Sequence, residues 1–431
     1  MKYYSLNKQA PDSSFENAVR KGLAPDRGLY FPEQITPLNE NFFEKLDELS
    51  NSEIAFKAIQ QFVGEEIPKG DLEQIVEETL NFDFPIVDLE EGISTLELFH
   101  GPTMAFKDVG ARFMARCLGY FNRNSDAEVT VLVATSGDTG GAVASGFLGV
   151  KGVRVVILYP SGKVSDVQEK QLTTLGQNIT ALEVDGTFDD CQDMVKKAFL
   201  DIDLTSKLEL TSANSINVAR WLPQMFYFMF AYKQLKALNK PIVFSVPSGN
   251  FGNICAGMIA QKLGFPIEHF IASNNVNNVV TRFLETNTYD PQPSIQTISN
   301  AMDVGNPSNF IRIQALHDYD LNNLKTNLSS YSFTDDETKT ALETIYSNSG
   351  YIADPHGAVG YLGAKAHLTN HSNSQVVFLE TAHPTKFLDV VEDVISKKIE
   401  LPPQIQAVID QQKHATFVKN YEEFKSFMLK F

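Results

Sequence analysis

Four stretches of this chain place an amine, hydroxyls, amides and glycines where strand-like runs give way to helix-like ones. In "LFHGPTMAFKDVGARF", residues 98–113, a strand-like "STLELF" leads into the turn "HGPT", and from Lys107 onward Val109, Phe113, Met114, Cys117 and Leu118 recur at helical spacing. Lys107 thus stands at a predicted helix N-terminus among Met104, Phe106 and Phe113. The helix dipole and desolvation both disfavour an ammonium there, so a neutral amine or an imine suits the position. A lysine that simply reaches out to solvent suits it too.

The second stretch, "VPSGNFGN" (residues 246–253), follows the strand-like "PIVFS". Gly249 and Gly252, with amide and small side chains beside them, allow successive backbone N–H groups to face one phosphate ahead of a helix. Neither GxGxxG nor a Walker Gly-Lys-Ser/Thr is present, which argues against a dinucleotide or a nucleoside triphosphate. The third, "ATSGDTGG" (residues 134–141), offers the hydroxyls of Thr135, Ser136 and Thr139 among three glycines. The fourth, "SANSINVARWLPQ" (residues 212–224), gathers Asn214, Ser215, Asn217 and Arg220 at the start of an apolar helix. Taken singly, each also fits a helix cap or a tight turn.

These stretches need a scaffold of strands and helices, and the texture of the chain supplies one. From about Thr95, short β-branched runs alternate with glycine-bearing loops and amphipathic segments, as in "VTVLVATSGDTGGAVASGFLG" and "PIVFSVPSGNFGNICAGMIAQKLG". Strands buried on both faces read this way, so an α/β fold with parallel sheets is expected, with ligands at the carboxyl ends of its strands. Ser165 and Gln168 form a capping-box pattern at one helix start. Residues 1–95 are charged and mainly helical in pattern. The expected division is an N-terminal helical unit (1–95), an α/β domain with the lysine and the hydroxyl-rich loops (96–240), and an α/β domain with the glycine loop (241–431). The two α/β domains, each an open parallel sheet, would enclose a cleft, and the smaller could be inserted within the larger.

Composition narrows the partners. With 431 residues and 43% hydrophobic content the chain can bury a large core, and its formal net charge of −17 with no basic block argues against nucleic acid. Three well-separated cysteines in apolar runs read as reduced core residues, and no metal-ligand spacing occurs. No apolar run nears the roughly 20 residues of a membrane helix, and the start of the chain lacks a signal-peptide pattern, so a cytoplasmic protein without a membrane partner is expected. A monomer or homodimer acting on a small-molecule substrate is expected.

Together the stretches resemble the pyridoxal-phosphate enzymes of the tryptophan synthase β-subunit type, fold type II. The ordered series "GLAPDRGLYFP", "HGPTMAFKD", "ATSGDTG", "SANSINVARW", "GNFGN" and "ETAHPTKF" is most similar to the threonine synthase family, from near the N-terminus to about residue 390. The resemblance implies pyridoxal 5'-phosphate bound to Lys107, with Lys107 also the catalytic base. It implies a phosphate cradle of Gly249, Asn250, Phe251, Gly252 and Asn253, with no counter-cation, and Thr381 at the pyridine nitrogen. A hydroxyl there leaves that nitrogen largely unprotonated and suits elimination and replacement. Asp138 stands where siblings carry Asn against the ring hydroxyl, and a carboxylate there requires that one of the two groups keep a proton. The implied substrate is O-phospho-L-homoserine, its phosphate held by Thr139, Asn214, Ser215 and Arg220 and its carboxylate by Thr135 and Ser136. The products would be threonine and phosphate. His100, His356 and His383 lie beside these loops and are read as loop-fixing residues. A threonine or serine dehydratase, which has no second phosphate to grip, and a non-catalytic phospholigand-binding homologue are the alternatives.

Overall fold

The structure, a computed structural model, describes all 431 residues. Contacts divide the chain into two compact units, each built from separate stretches of sequence. The first comprises Met1, Phe31–Phe106 and Trp221–Glu400; the second comprises Lys2–Tyr30, Lys107–Arg220 and Leu401–Phe431.

The second unit is built on a five-stranded, wholly parallel sheet. Its strands lie in the order Thr416–Val418, Ile179–Val184, Val153–Pro160, Val129–Ala134, Glu209–Ser212. Every residue of "VTVLVA" is buried, as expected of a central strand covered on both faces. One side of the core joins Leu132, Val156, Leu158 and Leu182 to Cys191, Met194 and Phe424. The order of strands reverses between Val129–Ala134 and Glu209–Ser212. At such a switch point the two following loops diverge and leave a crevice. Those loops are the hydroxyl-rich stretch and the "SANSINVARW" stretch.

The first unit carries a six-stranded sheet in the order Leu328–Ser332, His269–Asn274, Ile242–Pro247, Gln375–Glu380, Ile93–Glu97, Ile86–Glu90. All pairings are parallel except the last, an antiparallel edge. Its order reverses between Ile242–Pro247 and Gln375–Glu380, so the glycine loop and "ETAHPTKF" both leave the sheet at its switch point. Ile93, Val243, Ile271, Val376 and Phe378 form its core with the helices Asp335–Ser349 and Pro355–Leu368.

The α/β class with open parallel sheets is as the sequence indicates, and the Ser165–Gln168 capping box is formed. The consecutive segments 1–95, 96–240 and 241–431 are a different partition from the one that the contacts draw. A sheet can recruit an edge strand from far along the chain: Thr416–Val418 pairs with Ile179–Val184. Thr211 Oγ1 and Asn217 Nδ2 likewise donate to Val19 O, which ties the first helix, Phe15–Lys21, to the second unit.

Candidate active site

In the first unit the chain just before Lys107 is clamped. Met104 adopts a left-handed backbone (φ 58°), Ala105 bridges to Ala382, and the Phe106 N–H donates to Thr381 O at 2.8 Å. Tyr227 Oη donates to Phe106 O. Phe106, the residue before Lys107, is therefore held at both its N–H and its carbonyl. Thr381 is buried directly after its strand.

The glycine loop ends in a helix start without a side-chain cap. Phe251 at the N-cap of Gly252–Lys262 is left-handed (φ 62°), and Asn253 Oδ1 accepts from the Ile254 N–H at 2.9 Å. Asn253 Nδ2 reaches back to Pro247 O at 2.9 Å, so this side chain closes the loop. Asn250 is held by the Ser308 N–H on Oδ1 (2.6 Å) and the Asn309 N–H on its carbonyl (3.2 Å). At Gly249 a Cβ would meet Met302 Cα at 2.8 Å and Ala301 O at 2.9 Å, so only glycine allows this approach. Asn309 is in turn held by Arg312, fully buried, which donates to Asn309 Oδ1 at 2.5 Å and lies 4.6 Å over Trp221. Sequence patterning gave no sign of it, because "FIRIQAL" reads as an ordinary helix.

Lys107 opens the second unit's helix Lys107–Asn122 and is half-buried. In the hydroxyl-rich loop, Thr135 Oγ1 accepts from the Gly137 and Gly140 N–H groups (2.9 and 2.8 Å) and donates to Gly137 O (3.0 Å). Its hydroxyl shapes its own loop, while Ser136 and Thr139 stay half-buried. Asp138 is buried and accepts from Gln168 Nε2 at 3.0 Å, and the same amide's oxygen accepts from the Ser165 N–H. The capping box thus supplies a partner for the one carboxylate of the loop, a link that local sequence could not reveal. Asn214 Nδ2 donates to Ala134 O at 3.1 Å and so joins the two switch-point loops. Arg220, buried in the helical turn Val218–Trp221, donates to Ala213 O. A Cβ on Gly110 would lie 2.4 Å from Arg220 O, so the lysine helix packs directly on this turn.

The histidines fix loops. His100 pairs with Glu97 at 2.6 Å, and His383 Nδ1 accepts from the Thr385 N–H at 3.2 Å and lies 2.8 Å from its hydroxyl. Burial holds the His383 imidazole down at about 4. His356 is fully buried against Asp354.

Residues 93–382 match the family model described as pyridoxal-phosphate dependent enzyme. Residues 2–80 match that of the threonine synthase N terminus, and residues 357–428 that of the threonine synthase C-terminal region. The chain belongs to the threonine synthase family. The threonine synthase of Haemophilus influenzae is 43% identical over 406 residues, 93% of each chain. The crystal structure of threonine synthase from Escherichia coli superimposes with a TM-score of 0.93 at 39% identity, covering both chains completely. That of pyridoxal-phosphate-bound threonine synthase from Brucella melitensis gives 0.92 at 34% identity, covering 100% of this chain and 99% of the other.

The cofactor of this family is pyridoxal phosphate. The residues present fit it. A glycine-lined helix start with no capping side chain suits a phosphate, and a buried hydroxyl at the neighbouring strand end suits an unprotonated ring nitrogen.

Proposed function

We propose that this chain converts O-phospho-L-homoserine and water into L-threonine and phosphate. The observation that carries the reading is the clamp before Lys107: the Phe106 N–H donates to Thr381 O and Tyr227 Oη donates to Phe106 O, so the residue that leads into the lysine is fixed at both of its backbone groups. When bound, pyridoxal phosphate supplies an electron sink for the substrate's α-carbon. Lys107 Nζ holds the cofactor covalently at rest, then takes the proton from Cα and returns it at the end. The same amine moves the proton from Cβ to Cγ as phosphate departs from Cγ and water adds at Cβ. Gly249, Asn250, Phe251, Gly252 and Asn253 cradle the cofactor phosphate, chiefly through backbone N–H groups, and Thr381 meets the ring nitrogen.

Asp138 faces the ring hydroxyl, its charge moderated by the Gln168 amide. Arg220, Asn214, Ser215 and Thr139 grip the substrate phosphate, which concentrates anion recognition in an acidic chain. Ser136 meets the carboxylate, and Thr135 holds the turn that aims it.

The deciding experiment measures phosphate release from O-phospho-L-homoserine with threonine as coproduct, beside Lys107→Ala and Arg220→Ala. Lys107→Ala should abolish turnover, and Arg220→Ala should lower kcat/KM by about a hundredfold, the scale of a lost buried charge-assisted pair. A keto acid formed from threonine, with no phosphate released from the phosphorylated substrate, would replace this reading with a dehydratase.

A further inference from the structure

A carboxyl group that no motif singled out lies behind the ring and phosphate ends of the proposed cofactor site. Asp354, fully buried, caps the helix Pro355–Leu368: its Oδ1 accepts from the backbone N–H groups of His356 and Gly357. Capping is only part of what it does. The same Oδ1 accepts from His356 Nδ1 (2.7 Å), and Oδ2 accepts from the Ala382 N–H (3.0 Å), next to Thr381. His356 Nε2 accepts from the Ala301 N–H at 3.2 Å, which places the ring proton on Nδ1. Ala301 and Met302 are the residues against which Gly249 packs.

We propose that Asp354 is a positioning residue for the cofactor, holding Thr381–Ala382 at the ring end and, through His356, the Ala301–Met302 turn behind the phosphate loop. This rests on the functional reading above. A cap needs none of the further bonds: Asp320 caps the helix Leu321–Asn327 from an exposed position and serves that helix alone. At Asp354 a carboxyl group is removed from water entirely, a costly arrangement unless its hydrogen bonds are complete. Glu380, the last strand residue before Thr381, accepts from the Asp354 N–H, and a Cβ on Gly357 would lie 1.7 Å from its Oε2. Burial, with Asp354 beside it, pushes the Glu380 carboxyl well above the usual range. Glu380 thus braces the backbone of Asp354 from the strand end.

The test titrates apoprotein with pyridoxal 5'-phosphate and with pyridoxal, which lacks the phosphate, and records the visible absorbance and the melting temperature. Asp354→Asn should bind pyridoxal phosphate about tenfold more weakly, the cost of one unmade buried hydrogen bond, and should shift the absorbance band. His356→Ala leaves the helix cap in place. It should weaken pyridoxal phosphate by about the same factor while leaving pyridoxal binding unchanged. Wild-type affinity and absorbance in both variants, with only a lower melting temperature, would reduce Asp354 to a structural cap and overturn the proposal. If Asp354→Asn does not fold, His356→Ala decides alone by the same readings. If the wild-type protein forms no band that Lys107→Ala abolishes, the functional reading fails and takes this proposal with it.

Discussion

The two glycine-bearing loops, residues 134–141 and 246–253, both leave a central strand at a switch point, yet they acquire their shapes in opposite ways. The first supports itself: the Thr135 hydroxyl satisfies two N–H groups of its own turn. The second depends far more on distant residues. Phe251 sits in a left-handed conformation that costs about 1–3 kcal/mol. The bracing comes from Ser308 and Asn309 on Asn250 and from Met302 against Gly249. A loop closed by its own hydroxyl can be read from neighbouring letters. A loop braced by Ala301, Met302, Ser308 and Asn309 cannot be read that way.

The largest effect should come from breaking that outside support. In Gly249→Ala the new Cβ meets backbone on Met302 and Ala301, which cannot yield as a flexible side chain would. At an overpacking cost of about 3 kcal/mol, cofactor affinity should fall roughly a hundredfold. Wild-type affinity in an apoprotein titration would mean that the loop is not shaped by its neighbours.

Acid should next separate the units that carry the loops. Burial lowers His269, His317, His367 and His383 in the first unit, the last two to about 4. Between about pH 6.5 and 4 the unfolded chain binds protons that these folded imidazoles refuse, so the stability of this unit falls as pH falls through that window. Asp303, raised by burial to about 6, works in the opposite direction: the folded carboxyl takes its proton first and so gains stability as pH falls through 6. Glu380, also raised by burial, acts in the same direction as Asp303, so two carboxyls stand against four imidazoles. Amide hydrogen exchange should therefore quicken in the first unit before the second, and the reverse order would refute the assignment.

Within the self-supporting loop the expected change is smaller. Thr135→Val keeps the shape and removes the hydroxyl, which should cost about 1–3 kcal/mol in urea unfolding, with Thr135→Ser recovering most of it. An unchanged unfolding midpoint would show that the turn does not need its hydroxyl. Ser165→Ala should cost only about 1 kcal/mol, because the helix loses its cap while Gln168 still reaches Asp138.

Local chemistry was the legible part of this protein. β-branched runs foretold the parallel strands, the Ser165–Gln168 spacing foretold a capping box that is formed, and Lys107 begins its helix at the residue where the apolar spacing begins. Less legible were the groups that hold the loops from behind. No sequence motif singles out Arg312 or Asp354.

By itself, then, the sequence determined the elements and the loops that carry chemistry, because helix spacing, strand burial and turn residues act over a few neighbours. Tertiary structure alone decided which strands flank each switch point, which stretch joins which unit, and which buried carboxyl and guanidinium stand behind a loop. Those outcomes depend on pairings such as Thr416–Val418 with Ile179–Val184 and on bonds such as Asp354 to Ala382. Such contacts join residues far apart in the chain, so no local pattern encodes them.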